Sequence, residues 1–201
     1  MLFYFSMMKS FSFLIALCLF GFFPAAQLTD REISDLKGGR VKPDNSPVYY
    51  LPFSKGSKFL LIQAYNSKMS HTNEISLDFK MKKGSKICAA RAGIVTAVKE
   101  DSDVGGLNNE YLSQGNHIII RHNDGSTAMY WHLQKDGVLP NEGDSVMQGQ
   151  HIGYSGNTGY SAFPHLHFQA YDKDGKNIAT RFYTKKGIIY LRPGKWYKQT
   201  R

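Results

Sequence analysis

The chain has 201 residues, 42% of them hydrophobic and 20% charged, which is enough for one domain with a core of its own. Its 25 Lys and Arg outweigh 16 Asp and Glu, and the formal charge of +9 suits an anionic partner such as a cell-wall polymer. There are two cysteines, Cys18 and Cys88, and the first lies in a segment that reads as removable, so an internal disulfide is excluded in what remains.

Lys9, the apolar run Phe11 to Phe23 and then Pro24-Ala25-Ala26 read as a secretory signal peptide over residues 1–26, with Met7 or Met8 a better start than Met1. The run is shorter than the roughly 20 apolar residues of a membrane span. An exported protein is therefore expected, in the periplasm or outside the cell, with no stable span after processing. Losing Lys9 takes the charge from +9 to +8. Residues 27–47 are polar, contain Gly38-Gly39 and Pro43, and read as an N-terminal arm or linker.

Residues 48–175 read as one β-domain. Its short runs are Phe59–Ala64, Ile75–Phe79, Ile87–Ala90, Gly93–Val98, His117–His122, Thr127–His132, His151–Tyr154 and His165–Tyr171. Gly, Asn, Asp and Lys separate them, as in Asn123-Asp124-Gly125 and Lys173-Asp174-Gly175. Close-spaced strands with turn signals between them predict an all-β fold, and no long helical periodicity competes. A short internal echo links Gly84-Ser85-Lys86-Ile87, leading toward Gly93-Ile94, with Gly143-Asp144-Ser145-Val146, leading toward Ile152-Gly153. Residues 176–201 form a C-terminal extension whose run Gly187–Leu191 is expected to pack on the edge of the same domain.

The chemistry concentrates in His71, Asp78, His132, His165 and His167. In His165-Leu166-His167 a strand would turn both imidazoles to one face, about 7 Å apart at roughly 3.3 Å per residue. A catalytic zinc takes three ligands from His, Asp, Glu or Cys and keeps a position for water. Amide hydrolysis also needs groups that take and return a proton, for which histidine is the usual choice. Five such groups suffice for both tasks. On a helix His71 and Asp78 would sit about 10.5 Å apart, too far for one metal. Their segment reads instead as a loop running into a strand, which can bring His71 back beside Asp78. No His-Glu-x-x-His helix is present.

Four segments in order resemble the lysostaphin/LytM-type zinc metallopeptidases, peptidase family M23. They are His71…Asp78, Tyr130-Trp131-His132-Leu133, Gly156-Asn157-Thr158-Gly159-Tyr160-Ser161 and Pro164-His165-Leu166-His167-Phe168, with the Gly-rich stretch Gly143 to Gly153 as a further likeness. Six residues separate His71 from Asp78, where many members have three, which places the chain with longer-spaced members. The resemblance covers roughly residues 59–172. It implies a small antiparallel sheet or partly closed barrel, with loops around Ser102–Gln114 and Gly156–Pro164 walling a groove. It implies one zinc ion per chain on His71, Asp78 and His167, and His132 and His165 as the catalytic pair, their acid and base roles left open. The implied substrate is peptidoglycan, cut in its cross-bridges or stem peptides by a monomer with no nucleic-acid partner. The competing reading is a non-catalytic wall-binding or amidase-activating member of the same fold.

The other candidates have plainer readings. His117, His122 and His151 read as hydrogen-bonded structural residues, and Cys88 as a small buried apolar side chain. Asp172-Lys173-Asp174-Gly175 lacks the spacing of a calcium loop and reads as a β-turn. Gly153-Tyr154-Ser155-Gly156 is not a nucleophile elbow, since its second glycine comes one residue early. Tyr130, Trp131, Tyr160 and Phe163 are candidate groove walls. Core packing stays open for Trp131, expected to face away from His132 on a shared strand.

Overall fold

A computed structural model describes residues 28–41, 44–67 and 71–201. The expected signal peptide lies outside the described residues. In chain order the elements are α1 (Asp30–Gly38), β1 (Val48–Tyr49), β2 (Lys58–Ala64), β3 (Ser76–Lys80), β4 (Lys86–Cys88), β5 (Gly93–Lys99) and β6 (Gly105–Gly106). After a 3-10 turn, Asn109–Gln114, come β7 (His117–Arg121), β8 (Thr127–Trp131), β9 (Leu133–Val138), β10 (Ser145–Val146), β11 (His151–Ser155) and β12 (Gly159–Tyr160). The chain closes with β13 (His165–Tyr171), β14 (Asn177–Ile178), β15 (Arg181–Thr184), β16 (Gly187–Tyr190) and β17 (Lys195–Lys198).

The all-β expectation holds, with one helix inside the stretch read as an arm. Its cause is local: Thr29 and Glu32 form a reciprocal capping box, and Gly39 closes the helix at φ 71°. Ile33 and Leu36, three residues apart on one face, are buried.

The main sheet has nine strands in the order β10-β5-β7-β8-β13-β3-β2-β17, with β14 beside β13, and all its pairings are antiparallel. Alternation decides its two faces. Ile118, Ile120, Tyr130, Leu166, Phe168, Leu77 and Phe79 are almost wholly buried and form the core face. The intervening residues His117, Trp131, His167 and Asp78 stand in one cross-strand row on the other face. No closed barrel forms among the described residues; three smaller sheets, β4-β11-β9, β1-β15-β16 and the parallel pair β6-β12, complete the fold.

The internal echo has a structural counterpart. β4 pairs with β11 and β5 with β10, so the two strand-turn-strand units interlock reciprocally. In the C-terminal extension β16 joins the sheet of β1 and β15, Leu191 is buried in the common core, and β17 takes the edge of the main sheet beside β2. Cys88 is buried and free, and burial pushes its thiol up to about 11.

Phe168 lies at the centre of the core face, with its ring 5.3 Å from Tyr130, 5.8 Å from Phe182 and 6.1 Å from Tyr49. Phe168→Ala is expected to cost about 3–5 kcal/mol, read as a lowered urea midpoint, because those rings cannot close the void. A midpoint within error of the parent would show that the core is not packed around this ring.

Candidate active site

Three elements converge on Asp78. β3 carries it beside its register partner His167 on β13, so both side chains leave the same face of adjacent strands. On the other flank β2 has a bulge between Leu61 and Gln63, which turns Gln63 toward Asp78. Gln63 Nε2 donates to Asp78 Oδ2 at 3.1 Å, and Ser67 Oγ donates to Gln63 Oε1 at 3.0 Å. His71 arrives from the loop before β3. That loop folds back through left-handed Tyr65, Asn66 and Asn73, and the Asn73 amide donates to Asn66 Oδ1. The buried Asn177 side chain, which accepts from the Ile75 amide, ties the end of the loop to β14.

The result is a buried triad. His71 Nε2 lies 3.0 Å from Asp78 Oδ2, and His167 Nδ1 lies 3.0 Å from Asp78 Oδ1. One donor atom from each residue falls within 4.8 Å of the others. Burial pushes the Asp78 carboxyl up, but hydrogen bonds from His167 and His71 outweigh it and hold the group well below the carboxylate range. Burial likewise disfavours charge on His167, and Asp78 overcomes this and raises it. Zinc–nitrogen bonds of about 2.0–2.1 Å imply ligand–ligand edges of about 3.3 Å, close to the spacing seen. No Lys or Arg among the described residues pairs with Asp78. Two imidazoles and an anionic carboxylate thus fit a zinc ion in geometry and charge.

His132 and His165 stand beside the triad, with ring centroids 4.6 Å apart. Each is fixed through Nδ1 to a backbone carbonyl: His132 to Thr158 at 2.7 Å and His165 to Phe163 at 2.8 Å. A carbonyl only accepts, so each Nδ1 carries the hydrogen and each Nε2 keeps its lone pair. His165 Nε2 lies 3.7 Å from Asp78 Oδ1. Burial, then the neighbouring histidines His165 and His167, push His132 down to about 3; burial also lowers His165. The Gly156–Gly159 turn that supplies the Thr158 carbonyl is itself anchored. Thr158 Oγ1 donates to the Leu133 carbonyl and accepts from the Asn116 amide. Gly159, at φ +77°, passes so close to Gly115 that a Cβ would stand 2.6 Å from its Cα.

All five predicted residues line one cavity of about 630 Å³. Leu107 and Leu112 wall one part and Tyr160, Ala162 and Phe163 another, as expected of the two loops. Tyr130 is not a wall: it is fully buried in the core, and its hydroxyl accepts from the Ala90 amide. Trp131 is a wall, on the same side as His132. The alternation that should separate them fails because His132 sits at φ 65°, between β8 and β9, and reverses its side chain. Gln63 escaped the sequence reading, because a bulge has no signature in the residue types that surround it.

His117, His122 and His151 lie outside the cavity, and a ring nitrogen of each meets a backbone carbonyl, of Gly115, Ala92 and Gly153 respectively. Burial lowers the pKa of each. The unfolded chain therefore takes up protons near the ordinary 6.5 that the folded chain refuses. Their contribution to stability is full above that pH and is lost as pH falls below it. The zinc-free protein should show a falling urea midpoint from about pH 7 to about pH 5, and His122→Gln should flatten part of the slope. An unchanged slope in that variant would remove His122 from the account.

Residues 72–180 match the sequence profile of Peptidase family M23, a span that contains Asp78, His132, His165 and His167. The chain is 42% identical to lysostaphin of Staphylococcus simulans over 94 residues, which cover 46% of this chain and 17% of that protein. It is 35% identical to the peptidoglycan DD-endopeptidase ShyA of Vibrio cholerae over 92 residues, 46% of this chain and 19% of that protein. These alignments span a minor part of the curated relatives' own length. Among solved structures, the M23 metalloprotease pseudoalterin from the deep sea superposes with a TM-score of 0.51 at 20% identity, over 78% of this chain and 97% of its own, a likeness of fold. His71 lies one residue before the matched span, and it is the folded-back loop that brings it to Asp78. By the profile match over 72–180, this chain belongs to peptidase family M23.

Proposed function

We propose that the protein is a zinc-dependent endopeptidase that hydrolyses peptide bonds in peptidoglycan cross-bridges or stem peptides, exported to the periplasm or cell wall and acting as a monomer. The observation that carries this reading is the meeting, in one cavity, of the His71–Asp78–His167 donors with a second pair of neutral histidines. His71 Nε2, an Asp78 oxygen and His167 Nδ1 would hold the metal. Bound there, zinc supplies Lewis acidity toward a peptide carbonyl and acidifies water.

The chain's own residues do the rest. Neutral His132 and His165 each offer a free Nε2 to the cavity side while a backbone carbonyl fixes the ring. One accepts the proton of the attacking water at Nε2 and returns it to the leaving nitrogen. The other, when its Nε2 carries a proton, hydrogen-bonds the reacting oxygen. The apolar walls Leu107, Leu112, Trp131 and Phe163 shed water from the bound peptide and strengthen these contacts.

Purified peptidoglycan incubated with the protein should release peptide fragments whose masses identify the bond cut. A chelator should stop release and added zinc should restore it. Release that persists in chelator would overturn the zinc-dependent reading. Wall binding without release would favour the non-catalytic alternative.

A further inference from the structure

The cavity carries one feature that the metal and the proton transfers leave unused. Lys80 is the sole Lys or Arg among the described residues that line it. It ends β3, two residues beyond Asp78 on the same face, and its register partner on β13 is His165. Its side chain is exposed, and no carboxylate of the described residues lies within ion-pair distance of Nζ. The ammonium instead stands over the Phe163 ring, 5.9 Å from its centroid. That ring excludes water from one side of the charge and leaves the other side open to a ligand.

The opposite charge lies at the other end of β3. Glu74, just before β3, places a carboxylate oxygen 3.9 Å from His167 Nε2. A peptide crossing the centre thus meets an anion beside His167 and a cation beside His165. An uncompensated lysine on the floor of a peptide groove is a site for an anion, and on a peptide the anion is a carboxylate.

Resting on the peptidoglycan-endopeptidase reading, we propose that Lys80 binds a free carboxylate of the substrate. The preferred substrate is then an acidic peptide, with that group within about two residues of the scissile bond, since an extended peptide advances roughly 3.3 Å per residue. Lys80 is a specificity residue on this account and takes no part in proton transfer. A glycine-only bridge, which carries no carboxylate beside the bond, would be a poor substrate. The carboxylate belongs either to a side chain or to a chain end.

The test uses four synthetic substrates: a cross-linked stem-peptide dimer with all carboxylates free, the dimer with its side-chain carboxylate amidated, the dimer with its chain-terminal carboxylate amidated, and pentaglycine. The parent should prefer the free dimer over one amidated form by about tenfold in kcat/KM, chiefly through KM, and the form that loses identifies the source. Lys80→Met should bring that ratio to near one, Lys80→Arg should keep most of it, and Lys186→Met, in the β15–β16 hairpin, should keep all of it. A ratio of two substrates on one sample does not depend on the fraction folded. Equal cleavage of free and amidated dimers by the parent, a parental ratio in Lys80→Met, or a preference for pentaglycine would each overturn the proposal and leave the endopeptidase reading standing. Cleavage of none of the four by the zinc-loaded parent would overturn both.

Discussion

Asp78→Ala is expected to abolish zinc binding and peptide release together, the largest effect of any single substitution in this chain. Among the described residues, this carboxylate is the one anion that faces both His71 Nε2 and His167 Nδ1, at 3.0 Å each. Without it the site offers a divalent cation two neutral rings in a buried setting. Removing an outer partner of a metal ligand costs about 10–100-fold in affinity, and loss of the ligand itself must exceed that. Gln63→Leu supplies the internal scale, because Gln63 donates to Asp78 and would not touch the metal. It should fall within the 10–100-fold range, roughly, and keep measurable activity.

Stability adds a second readout. Asp78→Ala strands donors on His71, His167 and Gln63, so the zinc-free variant should be less stable than the parent by about 3–5 kcal/mol at neutral pH. The folded carboxyl is held below its ordinary value of 3.8, so its contribution is full above that pH and is lost progressively as pH falls below 3.8 toward the lower folded value. The gap between the two urea midpoints should therefore narrow in acid. Competition against a chromophoric chelator measures the zinc affinities. An Asp78→Ala protein that binds zinc as tightly as the parent would remove Asp78 from the site.

The candidate site was legible in part because Asp78, His165 and His167 sit on strands whose periodicity is plain. His165-Leu166-His167 needs only period-two alternation to put both rings on one face, and the Leu166 between them is fully buried, as alternation requires. The sheet order was beyond reach: that β13 runs between β8 and β3 depends on long-range packing, and only this order sets His167 against Asp78. Local backbone departures hid the remainder. The bulge that aims Gln63 and the positive φ of His132 each reverse a side chain against the simple period. The α1 helix was signalled by Thr29 and Glu32, but nine residues are too few for periodicity to speak. The loop before β3 is the opposite case. Read as a loop, it could return His71 to Asp78, and left-handed Asn73 between them, with Tyr65 and Asn66 before His71, accompanies that return.

The second large effect separates proton transfer from metal binding. His132→Ala and His165→Ala should each reduce kcat by about 10²–10⁴-fold, the usual contribution of a positioned acid or base, while zinc affinity stays within a few-fold of the parent. Neither ring belongs to the donor triad, and each is anchored from behind by its own carbonyl, so removing one leaves the candidate metal ligands in place. The two losses should not add. A proton taken from water by one histidine has value only if the oxyanion that forms is held by the other, so the double variant should fall little below the worse single one. The pH profile then divides the roles. Replacing the base should remove the acid limb of kcat/KM, because that limb reports its protonation, and replacing the partner should leave the limb and lower the plateau. A His132→Ala protein that digests peptidoglycan at the parental rate would break the pairing. A His165→Ala protein that loses zinc would move that ring from proton transfer into the metal shell.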